Sequence, residues 1–283
     1  MHDMWQTTIT IEDNVLMESK WIDLNATTLP SLHNHTIVSF DEFDETIIFG
    51  GSNTERYSND LWMVRNSTLE VDQIGRSGDW PCCRHGHSAV RFGKCMVVFG
   101  GKFGFGKEER LYGSDVWLFD LESKTWTELK CQTKPQPRCW HSACVYQERY
   151  MLVSGGFFTR NKKEFYFNDL WSFDMKTHQW TCLIADNPKH QTNPMKPRNR
   201  HGFIIHKDFL FVIFGNYFDG KKGFFWNDIC FVDLSKFNAL SEEKKGLFQF
   251  PENTWKVIEI SALDHKSKQL LIDGRSHFIT VGV

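Results

Sequence analysis

An all-β fold assembled from several small, similar sheets is what the sequence predicts. Three features point to it: a motif that returns about every 50 residues, short β-branched and aromatic runs that end in glycine, and no amphipathic helical stretch longer than about ten residues. The 283 residues are 41% apolar and 15% aromatic, with 25 Phe and 11 Trp, so the chain can fill a core. Lys and Arg total 33 against 35 Asp and Glu, a formal charge of −2, which argues against a protein that coats nucleic acid through bulk charge. No apolar run reaches the roughly 18–20 residues of a membrane-spanning helix. The start, Met1 to Gln6, lacks the pattern of a signal peptide. The expectation is a cytoplasmic protein, with the nucleus open to it and no membrane partner. The eight cysteines then read as reduced, mostly buried thiols.

The recurring unit is a basic residue and a His, a short apolar run, Gly-Gly, a loop, Asp-x-Trp, and a second Trp. Its clearest copy is Arg84-His85-Gly86-His87, Val97-Val98-Phe99-Gly100-Gly101, Asp115-Val116-Trp117 and Trp126. The next reads Arg138-Cys139-Trp140-His141, Leu152-Val153-Ser154-Gly155-Gly156, Asp169-Leu170-Trp171 and Trp180. A weaker copy precedes them, with His35, Ile47-Ile48-Phe49-Gly50-Gly51 and Asp60-Leu61-Trp62. A fourth follows, with Arg198-Asn199-Arg200-His201, Val212-Ile213-Phe214-Gly215-Asn216, Asp228-Ile229-Cys230 and a late Trp255. From His35 the histidines step by 52, 54 and 60 residues to His87, His141 and His201.

Each unit reads as four short strands. Runs such as Met96-Val97-Val98-Phe99 and Phe209 to Phe214 suit buried strands rather than helices. A sheet this small cannot cover both its faces alone, and radial stacking on its neighbours is the β-propeller solution. Glycine pairs then allow positive φ and close backbone approach, while tryptophans fill the gap that widens away from the axis.

The sequence resembles the kelch-repeat family of β-propellers. Gly50-Gly51, Gly100-Gly101 and Gly155-Gly156, each followed by Asp-x-Trp, carry the resemblance together with Trp62, Trp117, Trp126, Trp171 and Trp180. It implies one kelch domain over 1–283, with blades near 32–74, 84–130, 138–184 and 198–260 and partial-blade strands at 3–24 and 275–283. Leu32 replaces the basic residue of the first copy, Gly215-Asn216 stands for Gly-Gly, and Cys230 for Trp. The resemblance puts the strand after the Arg/His element innermost and the Trp-bearing fourth strand outermost. Such rings generally carry six or seven blades, so the four copies imply either part of a longer chain, the favoured reading, or a five-bladed closure made from both ends.

In a four-stranded meander the loops after strands two and four share one face. The loops 102–113, 157–167 and 217–226 place eight basic side chains against four acidic ones, and the connections 130–138 and 186–200 add seven against one. A chain of net charge −2 thus collects about +10 on one face. Aromatic and Arg-rich surface suits binding hot spots. The candidate partner-binding residues are Lys102, Phe103, Phe105, Arg110, Phe157, Phe158, Arg160, Tyr217, Phe218 and Lys221. Arg84, Arg138, Arg198 and Arg275 join them, as guanidinium forks expected to converge near the axis on carboxylates. The ligand expected is a protein or acidic peptide, or a chain-terminal carboxylate.

No Gly-x-Ser-x-Gly elbow, phosphate loop or His-Glu-x-x-His is present, and no catalytic residue, cofactor or metal is assigned. Histidines and cysteines near 82–87 and 139–144 recur at repeat positions and read as inner-strand residues, the histidines bonded to backbone. Asp60, Asp115, Asp169 and Asp228 read as turn residues that bond nearby amides. The resemblance implies a non-catalytic protein-interaction module, with substrate recognition for a cullin-type ubiquitin ligase as an alternative. An enzyme of the metal-dependent lyase or oxidase kind and a single-strand nucleic-acid binder are disfavoured.

Overall fold

A computed structural model describes residues 5–12, 15–23, 29–104, 111–187, 194–240, 245, 248–251 and 254–259. Four antiparallel four-stranded sheets form their framework, each a meander in chain order. The first holds Thr36–Phe40, Glu45–Phe49, Leu61–Arg65 and Val71–Ile74, and the second Ser88–Phe92, Cys95–Phe99, Val116–Asp120 and Thr125–Leu129. The third holds Ser142–Tyr146, Tyr150–Ser154, Leu170–Asp174 and Gln179–Ile184. The fourth holds Gly202–His206, Phe209–Ile213, Asp228–Asp233 and Lys256–Glu259. First strands of successive sheets are neighbours, so the sheets fan out from a shared inner edge as propeller blades. Near the N-terminus, Trp5–Glu12 pairs with Val15–Asp23 as a hairpin. The expected strand at 275–283 lies outside the described residues.

The continuous apolar runs follow from burial on both faces, and the two-residue period sorts them between interfaces. Met96, Val98, Trp117 and Phe119 of the second sheet pack on Val38, Phe40, Ile47, Phe49, Leu61 and Met63 of the first. The alternate residues Val97, Phe99 and Val116 pack on Met151, Val153, Phe173 and Trp180 of the third. Leu152, Leu170 and Leu183 in turn meet Phe203, Leu210, Val212, Cys230 and Val232 of the fourth. Each large side chain so buried contributes about 1.5–3 kcal/mol before entropy is counted. Trp126 lies 4.8 Å from Phe49 and Trp180 4.8 Å from Phe99, so each fourth-strand indole closes the gap to the preceding blade.

The third blade has Ser154 where the first two have Phe49 and Phe99. An insertion between the last two strands of the fourth blade packs on the third blade. There Phe237, on the short helix Ser235–Asn238, stands 5.2 Å from Tyr150, and the Phe250 amide donates to Leu183 O at 2.8 Å. The sequence reading put a helical turn slightly later, at 239–245.

Candidate functional site

The arginines at the start of the blades are not ligand hands. Arg84, Arg138 and Arg198 are fully buried, and each grips the aspartate of its own blade with both terminal nitrogens. Arg138 reaches the two Asp169 oxygens at 2.7 and 2.7 Å, Arg198 those of Asp228 at 2.7 and 2.9 Å, and Arg84 those of Asp115 at 3.2 and 2.8 Å. One Nη of each also donates to a backbone carbonyl, that of Gly100, Gly155 or Phe214. A buried guanidinium needs a countercharge and acceptors for its donors, and the repeat supplies both. The aspartates therefore bond side chains rather than the amides expected, and Trp117 and Trp171 donate Nε1 to the same carboxylates. Where Leu32 replaces the arginine, Asp60 takes Arg56 at 3.0 Å and Arg76 at 3.2 Å instead.

The glycine pairs tie one blade to the next. Gly51, Gly101 and Gly156 donate their amides to Arg84 O, Arg138 O and Arg198 O of the following blade, at 2.8, 2.9 and 2.8 Å. A Cβ on Gly50, Gly100 or Gly155 would sit only 2.8, 2.9 or 2.6 Å from those same carbonyls. In the fourth blade the pair is shifted by one residue from the Gly215-Asn216 expected: Phe214 (φ 58°) and Gly215 (φ 107°) take the glycine conformations, and Asn216 begins a strand.

Two of the repeat histidines also bond a hydroxyl of the preceding blade, and His141 and His35 interact with backbone at Phe99 and Leu32 as well. His87 Nε2 meets Thr36 Oγ1 and His141 Nε2 meets Ser88 Oγ, each at 2.8 Å. Burial, with Arg84 and Arg138 nearby, holds these two imidazoles far below the usual histidine range, and burial holds His201 at about 3.

Inside the inner edge, Asn34, Gly86, Trp140 and Arg200 hold equivalent places just before the blade histidines, all at positive φ. Their backbones form a ladder from blade to blade, Gly86 N to Asn34 O (3.1 Å), Trp140 N to Gly86 O (2.7 Å) and Arg200 N to Trp140 O (2.9 Å). Left-handed backbone suits Gly and Asn; for Trp and Arg it is an outlier of the kind found at functional positions. Their side chains join a row across the axial mouth. Lys102 Nζ lies 5.7 Å from the Tyr57 ring, Tyr57 4.4 Å from His85, His85 5.3 Å from Trp140, and the Arg200 guanidinium 4.4 Å above Trp140. Among the described residues no carboxylate pairs with either terminal cation. Burial, then Lys102, His33 and Arg200, push His85 down to about 4.

Around this row stand three small hairpins formed by the long loops. Lys102–Phe103 pairs with Leu111–Tyr112, Phe157–Arg160 with Lys163–Tyr166, and Asn216–Phe218 with Gly223–Phe225. Tyr112 lies 6.3 Å from Phe157, Phe157 4.8 Å from Tyr166, Tyr166 4.8 Å from Tyr217, and Tyr217 6.3 Å from Trp226, a relay that welds the hairpins into a rim. Much of the expected aromatic surface is thus spent internally. Phe157 is buried, Phe103 packs 4.4 Å beneath Arg84, and Phe158 and Tyr217 are half-buried. Phe218, Arg160 and Lys221 remain exposed, joined by Phe165 and Phe225 of the same loops and by Leu111, which the sequence reading did not single out. Phe105, Arg110 and Arg275 lie outside the described residues. Removing Arg138 and Arg198, neutralised in the core, lowers the +10 charge of this face.

Sequence reasoning also missed Tyr57, His85 and Trp140. The signal was available for Trp140 and Arg200, since sister copies put Asn34 and Gly86 at their place.

A family model for the KLHDC2/KLHL20/DRC7 Kelch-repeats domain matches residues 16–216. The chain is 31% identical to Kelch domain-containing protein 3 of Homo sapiens over 236 residues, 80% of this chain and 54% of that protein. It is 27% identical to Kelch domain-containing protein 10 of Xenopus tropicalis over 220 residues (77% and 46%). It is also 26% identical to Acyl-CoA-binding domain-containing protein 4 of Arabidopsis thaliana over 215 residues (75% and 30%). The matches thus span from about a third to about half of those relatives' own lengths. Four stacked meanders, the Arg–Asp clamps and the glycine pairs agree with these matches: the chain belongs to the kelch-repeat family of β-propeller domains, which generally mediate protein–protein interaction.

Proposed function

We propose that this kelch domain is a non-catalytic interaction module that binds a partner protein or peptide on the loop face, seating a carboxylate at the axial mouth between Lys102 and Arg200. The observation that carries the reading is the row across the mouth, two half-buried cations held on aromatic rings with no described carboxylate in salt-bridge range. A cation on an aromatic face keeps its full charge for a third group, and partial desolvation strengthens that attraction. The rim adds exposed apolar anchors, with Phe225 64% and Leu111 58% accessible, beside Arg160 and Lys221. Aromatic and Arg side chains clustered at the centre of a patch, ringed by contacts that exclude water, are the usual make-up of a hot spot.

The test uses N-acetylated octapeptide pools, with free or amidated C-termini and with or without internal Glu. We expect binding to the carboxylate-bearing pools that weakens as salt rises. Lys102→Glu and Arg200→Glu should each weaken it by about tenfold or more. Equal affinity for all pools, or a double variant that binds as wild type does, would overturn the reading. The free-terminus and internal-Glu arms separate the two sources of carboxylate.

A further inference from the structure

We infer that His85 is a recognition residue of this mouth, taking up a proton as a carboxylate ligand arrives and donating a hydrogen bond to it. The inference rests on the carboxylate reading above and adds to it a titrating group and a direction of pH dependence. Both ring nitrogens of His85 are buried and have no hydrogen-bond partner among the described residues. Such a group costs free energy unless a partner is supplied. His87 and His141, which stand two places after the His85 position in their repeats, each solve the problem with a hydroxyl from the preceding blade. His85 meets rings instead, with Tyr57 on one side and Trp140 edge-on at 90° on the other.

The groups facing it come from every neighbouring element. Lys102 is its β-pairing partner, His33 enters the first blade, Arg200 enters the fourth, and the Tyr57 phenol belongs to the loop between the second and third strands of the first blade. None of these is a carboxylate. In the free protein burial and those cations favour the neutral imidazole. A carboxylate seated between Lys102 and Arg200 reverses both effects, offsetting their charges and offering an acceptor for N–H. One proton then enters from solvent with the ligand. Affinity should rise as pH falls, by up to about tenfold per pH unit while the free form is neutral and the bound form charged. The ligand's own terminal carboxyl, with an ordinary pKa of about 3.3–3.7, stays ionised above pH 5 and does not cause the trend.

The experiment is calorimetric titration of the free-carboxylate octapeptide pool into the whole chain at pH 7.5, 6.5 and 5.5, each in two buffers of different ionisation heat. For the wild type we expect net proton uptake and affinity that rises several-fold from pH 7.5 to 5.5. His85→Gln should bind with neither effect, while His33→Gln should keep both. Pool binding that depends on Lys102 and Arg200 but takes up no proton would overturn the role of His85 and leave the carboxylate site standing. Loss of the trend in His33→Gln and not in His85→Gln would also overturn it. If no pool binds at any pH, the carboxylate reading falls, and this one with it. Should His85→Gln fail to fold by circular dichroism, imidazole NMR of the wild type decides. Added pool must then raise the titration midpoint of one buried histidine by at least about two units, and an unchanged spectrum refutes the inference.

Discussion

A fully buried guanidinium that already bonds two carboxylate oxygens and two backbone carbonyls is closed to a ligand, and that decides what Arg84, Arg138 and Arg198 do. Replacing one member strands the other as a buried charge, at a cost of about 3–5 kcal/mol. Asp169→Asn should therefore lower the stability from urea unfolding by roughly that amount. Arg138→Lys should recover little, since an ammonium cannot span both oxygens. The contrast is Lys102→Glu and Arg200→Glu, which should leave unfolding midpoints nearly unchanged because their charges hold no carboxylate in place. The equivalence of the three arginines was legible from the repeat; their engagement was not. The nearly constant offset from Arg84 to Asp115, Arg138 to Asp169 and Arg198 to Asp228 carried that information. A sequence read one motif at a time does not reveal which of two equivalent charges faces inward.

At the level of elements, the strands and their order were legible because burial on both faces writes unbroken apolar runs. The small hairpins were not, since Lys102–Phe103 and Gly223–Phe225 are short and mix charge with aromatics, as loops do. The shifted pair in the fourth blade escaped for a related reason. Position within Phe214-Gly215-Asn216 is set by φ, and Asn can take a left-handed backbone as well as Gly can. The pairs themselves offer a sharp test. Gly155→Ala puts a Cβ against the Arg198 carbonyl at a residue whose φ is 65°, so strain and clash coincide. We expect a loss of about 2–4 kcal/mol, with hydrogen exchange quickening first in the first strand of the fourth blade.

For the molecule as a whole, the inner edge is a row of buried neutral imidazoles, and this couples folding to pH. His87, His141 and His201 have folded pKa values well below that of the unfolded chain, near 6.5. Above that pH neither state binds the extra protons and stability is complete. As pH falls below it the unfolded chain takes up protons that the folded one refuses, and stability drains away towards the folded values, about 3 for His201. Three such groups set a limiting slope of about 4 kcal/mol per pH unit. Urea midpoints should thus fall steeply between pH 6.5 and 5, and a flat profile there would contradict the assignment of neutral rings.

The glycine ties also have a direction, because each sheet receives the carbonyl of the one after it. A joint that only ever points forward can, in principle, be extended by another molecule's sheets and grow into a fibre. Phe214 interrupts that prospect: its side chain occupies the place where Gly50, Gly100 and Gly155 leave room, so a carbonyl arriving along the same path would strike it. A sheet arriving on the apolar outer face of the fourth described blade, where Ile204 and Ile258 lie exposed, would thus meet a phenylalanine where the other three joints offer a glycine, and the joint would not repeat there in the same form.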